Sequence, residues 1–358
     1  MTESVITSIK NCEYQPEGQL IGSAENREYI GSVQGLERAM ASGKILEARA
    51  TLCDNNQNLT VDLGGMRGVI EREETSMGSY SDGRIRDIAI ITRVGKAVCF
   101  KVMRVERDES GEAVAYLSRR LAQEECLEKY IMRLNCGDII EVKVTHLEPF
   151  GCFCDVGCGV ISLLPIDCIS ISRISHPSDR YQIGQFIKTV IKYIDYEAKK
   201  VSLTHKELLG TWEENAAKFQ PGQTAAGVVR SVEQYGIFIE LTPNLAGLAE
   251  YKEGVYEGQQ AAVYIKNIIP ERMKIKLVLI DTYSGSESGG MPLKPAKPVY
   301  YIDGGHIDVW RYSPLSCDKI IETNFNNNIS NSPPNKSNLS VQSDIIPEKI
   351  YNSFLRTP

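Results

Sequence analysis

The sequence predicts an all-β chain of tandem five-stranded barrels, joined by short helices and followed by a largely disordered C-terminal tail. Three observations carry this. Stretches such as "FIKTVIKYI" and "KIKLVLI" alternate apolar and polar residues, which marks antiparallel strands with one buried face. Two segments, Asn135 to Gly159 and Gln220 to Gly247, share one layout. Each copy then continues through a second glycine-led strand and a closing strand. Five short strands in roughly seventy residues, with an irregular piece between the third and fourth, suit a Greek-key barrel of the OB-fold type.

The two clear copies occupy residues 135–206 and 219–281. The first reads "NCGDIIEVKVTHLEPFGCFCDVGCG" and the second "QPGQTAAGVVRSVEQYGIFIELTPNLAG". Each opens on a glycine turn, Gly137 or Gly222. Thirteen residues later comes an aromatic, Phe150 or Tyr235, followed by Gly151 or Gly236 and then Phe153 or Phe238. Every member of the later copy stands 85 residues after its counterpart. A degenerate copy over 41–120 starts from Gly43, and Gly68 follows it by 25 residues, the interval that separates Gly247 from Gly222. The ring signature is missing there, with Asn56, Gln57 and Leu59 at its offsets.

The connecting pieces follow in order. Residues 1–40 read as an N-terminal extension with a short helix in "GLERAMASG". A linking helix is expected over 121–134, where Leu121, Leu127, Ile131 and Leu134 recur at helical spacing. Residues 207–218 form a linker. The 282–358 segment combines a Ser, Gly and Pro linker, a hairpin expected over 299–313 around Gly304 and Gly305, and a polar low-complexity tail. Trp310 and the paired tyrosines of that hairpin either dock on the third barrel or present another stacking surface.

Composition excludes several classes. A formal net charge of −6 argues against binding nucleic acid by bulk electrostatics, so any such role must rest on local faces. No apolar run reaches the ~18 to 20 residues of a membrane span, and no basic start precedes an apolar stretch at the N-terminus. A cytoplasmic protein without a membrane partner is expected. The ten cysteines are scattered, as in a reducing compartment. Cys152, Cys154, Cys158 and Cys168 lack the C-x2-C knuckle of a zinc site, and alternation after Gly151 turns Cys152 and Cys154 inward. His146, His176, His205 and His306 are dispersed, and no nucleophile elbow, phosphate loop or dinucleotide fingerprint occurs. No catalytic residue, cofactor, metal or small-molecule substrate is therefore expected.

A glycine between two aromatics permits a bulge or a close backbone approach, and a bulge lets residues three apart face one side. Two such rings facing solvent would form a platform for unpaired bases. Equally, they could fill the barrel. Lys188, Lys192, Lys199, Lys200 and Lys206 gather on the last two strands of the second copy, either as solvated edge residues or as holders of a phosphate backbone.

The ordered combination of aromatic-Gly-x-Phe, "DVGCGV", "LLP", Asp195 and "KVSL" resembles the RNA-binding module of the ribosomal protein S-one (S1) family. The likeness is good over Cys136 to Lys206, fair over Gln220 to Ile280 and weak over Ser42 to Arg120. It implies barrels whose outer face stacks and hydrogen-bonds single-stranded RNA. Carried over by position, the RNA-binding residues become Phe150, Phe153, Ser162 in a histidine-like place, Asp195, and Lys199 or Lys200. In the third copy Tyr235 and Phe238 match, Glu250 takes the histidine-like place, the Asp is absent, and Lys274 is the nearest basic match. The implied partners are single-stranded RNA or mRNA and the small ribosomal subunit, in a translation role. The alternatives are a protein-interaction scaffold built from OB barrels and an accessory RNA-binding subunit of an RNA-processing complex.

Overall fold

The computed structural model describes residues 14–78, 85–283 and 297–326. Barrel one contains β1 (Leu46–Cys53), β2 (Leu59–Asp62), β3 (Arg67–Ile70), β4 (Ala97–Arg107) and β5 (Ala113–Ser118). Barrel two contains β6 (Ile139–Glu148), β7 (Gly151–Asp155), β8 (Ile161–Pro165), β9 (Phe186–Asp195) and β10 (Lys200–Thr204). Barrel three contains β11 (Thr224–Glu233), β12 (Gly236–Thr242), β13 (Leu245–Ala249), β14 (Gln260–Ile269) and β15 (Lys274–Tyr283). All three share one connectivity: the first strand pairs with the second and the fourth, and the third pairs parallel with the fifth. This is the closed Greek-key barrel that the strand pattern predicts, and closure removes exposed strand edges.

Alternation sets the walls. In β7, Cys152 and Cys154 are fully buried while Phe153 between them faces out. In β12, Ile237 and Ile239 are buried around the outward Phe238. Two bulges interrupt the alternation at equivalent places in every barrel. One lies on the first strand, at Thr51, Thr145 and Arg230; the other lies on the fourth, at Met103, Lys192 and Lys266.

A helix over Arg119–Lys129 links barrels one and two, with the Ser118 hydroxyl accepting the Leu121 N–H at its start. Between barrels two and three, a 3-10 turn over Lys206–Leu209 leads into a helix over Trp212–Ala216, capped reciprocally by Thr211 and Glu214. The N-terminal extension carries two helices, Ala24–Ile30 and Val33–Ser42. Among the described residues no helix is long and apolar enough to cross a membrane.

The hairpin expected over 299–313 does not form. Instead β16 (Val309–Arg311) pairs with β17 (Glu322–Asn324), beyond that window. The backbone around Gly304 and Gly305 finds its partners on barrel two: Ile139 N–H donates to the Gly305 carbonyl at 3.0 Å and Ile307 N–H to the Gly137 carbonyl at 2.9 Å. Trp310 and Tyr312 are buried in the barrel-three cluster, and the Tyr312 hydroxyl donates to the Asn244 carbonyl at 2.6 Å. The segment is thus a strap across barrels two and three, and its aromatics dock there. The low-complexity tail expected to be disordered lies outside the described residues.

Candidate nucleic-acid interface

Phe150 belongs to the two-residue turn Pro149–Phe150, because Glu148 and Gly151 already pair across the hairpin. Tyr235 occupies the same turn position in barrel three, where Glu233 pairs with Gly236. Turn placement, and not a bulge at the glycine, brings residues three apart to one side. The glycine is needed for the close approach. Gly151 has φ +154° and Gly236 φ +150°, and a Cβ at either would lie 2.5 Å from a backbone oxygen, that of Leu164 or Ala249.

Each ring pair forms a corner. Phe150 and Phe153 have centroids 6.0 Å apart with planes at 85°, and Tyr235 and Phe238 are 6.1 Å apart at 85°. Tyr235 is 69% exposed, and the other three rings are half-buried. The rings are therefore not coplanar shelves. A base laid on the face of one meets the other edge-on, a favourable arrangement for π-systems.

The cross-strand registers extend each corner into a row around the outer wall. In barrel two the row runs His146, Phe153, Leu163, Ser202, Tyr193. In barrel three it runs Ser231, Phe238, Leu248, Lys276, Asn267. Barrel one presents Leu52, Thr60, Val69, Tyr116, Arg104. There a threonine replaces the ring, Leu59 points into the core, and Arg104 lies over the Tyr116 ring at 3.8 Å while paired with Glu71 and Glu106.

Ser162 does not join this face. It is only 5% exposed, and its hydroxyl donates to the Val201 carbonyl at 2.6 Å. The strand registers put Ser162 where barrels one and three carry Gly68 and Gly247. A Cβ at either glycine would lie 2.6 Å from a core leucine, Leu117 or Leu277, so the place tolerates only a small inward residue.

The remaining candidates sit at the ends of the fourth and fifth strands. Asp195 closes the β9–β10 turn, its Oδ1 accepting the Ala198 N–H at 2.8 Å. Lys199 holds φ +51° in that turn and reaches Glu128 at 3.5 Å, while exposed Lys200 lies opposite Asp195 in register. Lys274 is exposed and takes the corresponding place in barrel three, opposite Ile269. Of the other lysines, Lys188 binds Asp303 of the C-terminal strap at 2.6 Å and Lys192 donates to the Cys168 sulfur at 3.1 Å. The sequence pattern did not single out Tyr193, Lys276 or His146; the fourth-strand bulge, which offsets the alternation by one, is what turns Tyr193 outward.

Residues 133–206 match the family described as the S1 RNA binding domain. Over 290 residues the chain is 29% identical to a small ribosomal subunit protein bS1 of Staphylococcus aureus (strain COL), covering 77% of this chain and 71% of that protein. The bS1 of Staphylococcus haemolyticus is 26% identical over 288 residues, with 77% and 71% covered. The bS1 of Rhizobium meliloti is 27% identical over 282 residues, spanning 74% of this chain and 48% of that protein.

Proposed function

We propose, from the S1 RNA binding domain at residues 133–206 and the barrels of like build on either side, that this chain binds single-stranded RNA or mRNA and serves translation at the small ribosomal subunit. The observation that carries the reading is the ring corner repeated in barrels two and three at nearly one distance and one angle. A core-filling pair has no reason to sit at a hairpin tip with Tyr235 mostly in solvent. Stacking on such rings is worth roughly 1–3 kcal/mol per base and tolerates any base.

Phe150, Phe153, Tyr235 and Phe238 would take the bases, and Lys199, Lys200 and Lys274 the phosphates, with Asp195 shaping the turn that carries two of those lysines. With a chain charge of −6, affinity should be moderate and salt-sensitive, not that of a polycation. The relatives' names, small ribosomal subunit proteins, support the partner and a binding role in place of catalysis. Titrating the full chain into labelled single-stranded RNA at two salt concentrations tests this. Saturable binding that weakens with salt is expected. No binding at low salt would hand the barrels to the scaffold reading.

A further inference from the structure

Barrel two differs from its neighbours along the cross-strand row. Beyond Phe153 come half-buried Leu163 and Ser202, and beyond those stands Tyr193, which is 38% exposed. A short serine between a leucine and a tyrosine leaves a low stretch of wall with an aromatic at each end. In barrel one the serine's place is filled by Tyr116 under Arg104, and in barrel three by Lys276 with Asn267 beyond it. The described residues thus hold one row with rings at both ends.

We propose that Tyr193 is a third base-stacking residue of barrel two, and that a bound strand crosses the wall from the Phe150–Phe153 corner over Leu163 and Ser202 to reach it. The inference rests on the RNA-binding reading above and adds a direction and an end point to it. Three strand spacings of ~4.8 Å separate Phe153 from Tyr193, about 14 Å of wall, a span short enough for one strand to cross within a single barrel, which typically covers ~4–16 nucleotides. Lys200 lies on the same strand and face as Ser202, two residues before it, where a phosphate on this path would pass. The path also gives the two barrels different chemistry within the row: past the leucine, barrel two offers Ser202 and the Tyr193 ring, and barrel three the Lys276 ammonium and Asn267.

The test uses the full chain and a 12-nucleotide single-stranded RNA carrying 4-thiouridine. In the wild-type protein, irradiation should cross-link the peptide that contains Tyr193. Tyr193→Ala should weaken binding about fivefold or more, the lower end for one stacked base, while Tyr193→Phe should stay within about twofold because the ring is retained. Phe153→Ala serves as the reference for the corner. If Phe153→Ala weakens binding while Tyr193→Ala binds as wild type and no cross-link maps to Tyr193, the path is wrong and the RNA-binding reading stands. If the wild-type protein itself leaves the RNA unbound, that reading falls and the path with it.

Discussion

Glu17 of the N-terminal extension and Arg119 of the linking helix form a two-pronged ion pair almost sealed from solvent, with Arg119 Nε donating to Oε1 at 2.6 Å and Nη2 to Oε2 at 3.0 Å. The same carboxylate accepts the Cys99 N–H of barrel one at 3.2 Å and meets Arg93 at 3.4 Å, and the Glu17 N–H donates to Asp155 of barrel two at 2.8 Å. One residue therefore ties barrel one, the linking helix and barrel two together. Burial would raise the Glu17 carboxyl, but the Arg119 and Arg93 guanidiniums outweigh it and hold it down to about 2.

Removing that carboxylate leaves Arg119 buried without its counter-charge. Breaking one side of a buried pair costs on the order of 3–5 kcal/mol, so Glu17→Ala should lower the thermal midpoint markedly and loosen barrel one from barrel two. Circular dichroism melts with limited proteolysis would show it. An unchanged melt would mean that Glu17 is not what holds the seam between barrels one and two.

His205 makes stability depend on pH with a definite sign. Its ring is buried, with Nδ1 3.1 Å from the Ile169 carbonyl and Nε2 without a hydrogen-bond partner among the described residues, and burial pushes its pKa down to about 4. A depressed histidine contributes stability above its unfolded value near 6.5 and loses it as pH falls toward 4, on the order of 3 kcal/mol in all. Asp155 acts with the opposite sign, because burial first and the Glu17 charge second raise it to about 7, so its contribution is lost as pH rises through that value. The stability advantage of wild type over His205→Gln should therefore shrink between pH 6.5 and 4. A gap that stays constant across that range in urea melts would contradict the assignment.

Gly151→Ala should destabilise barrel two. The added methyl would sit 2.5 Å from the Leu164 oxygen at a φ of +154°, so the backbone must move. A strained position of this kind costs on the order of 1–3 kcal/mol. Gly184→Ala, also at positive φ but with open space around it, makes the control for strain without a clash. Equal melts for the two variants would remove the close approach as the reason for the glycine.

Changing Lys199 and Lys200 to alanine should reduce the slope of log affinity against log salt by roughly one or two phosphate contacts' worth. Fold stability should hardly change, since the Lys199–Glu128 pair is exposed on both sides and such pairs contribute little. A slope identical to wild type would take both lysines off the phosphate path.

Local signals made the barrels legible. Strand alternation and the glycine-to-ring spacing act within a few residues, and they located Phe150, Phe153, Tyr235 and Phe238 together. What failed was parity across irregularities. Ser162 faces inward at a third-strand place that Gly68 and Gly247 hold in the other barrels, each 25 residues after its opening glycine as Ser162 is after Gly137. The smallness of all three is the sequence signal for a place with no room for a larger side chain. Tyr193 would have been counted inward with Ile187 and Ile191, and the bulge at Lys192 turns it out. Glu17 has no local mark at all, since its partners Cys99, Arg119 and Asp155 lie far along the chain.

The most direct test replaces the barrel-two corner, Phe150→Ala with Phe153→Ala, and measures single-stranded RNA affinity across a salt series. Affinity should fall by about fivefold or more, the lower end for the loss of one stacked base, with the salt slope kept close to wild type because no charge has been removed. An affinity equal to wild type in a folded double variant would show that these rings are not where the strand lies.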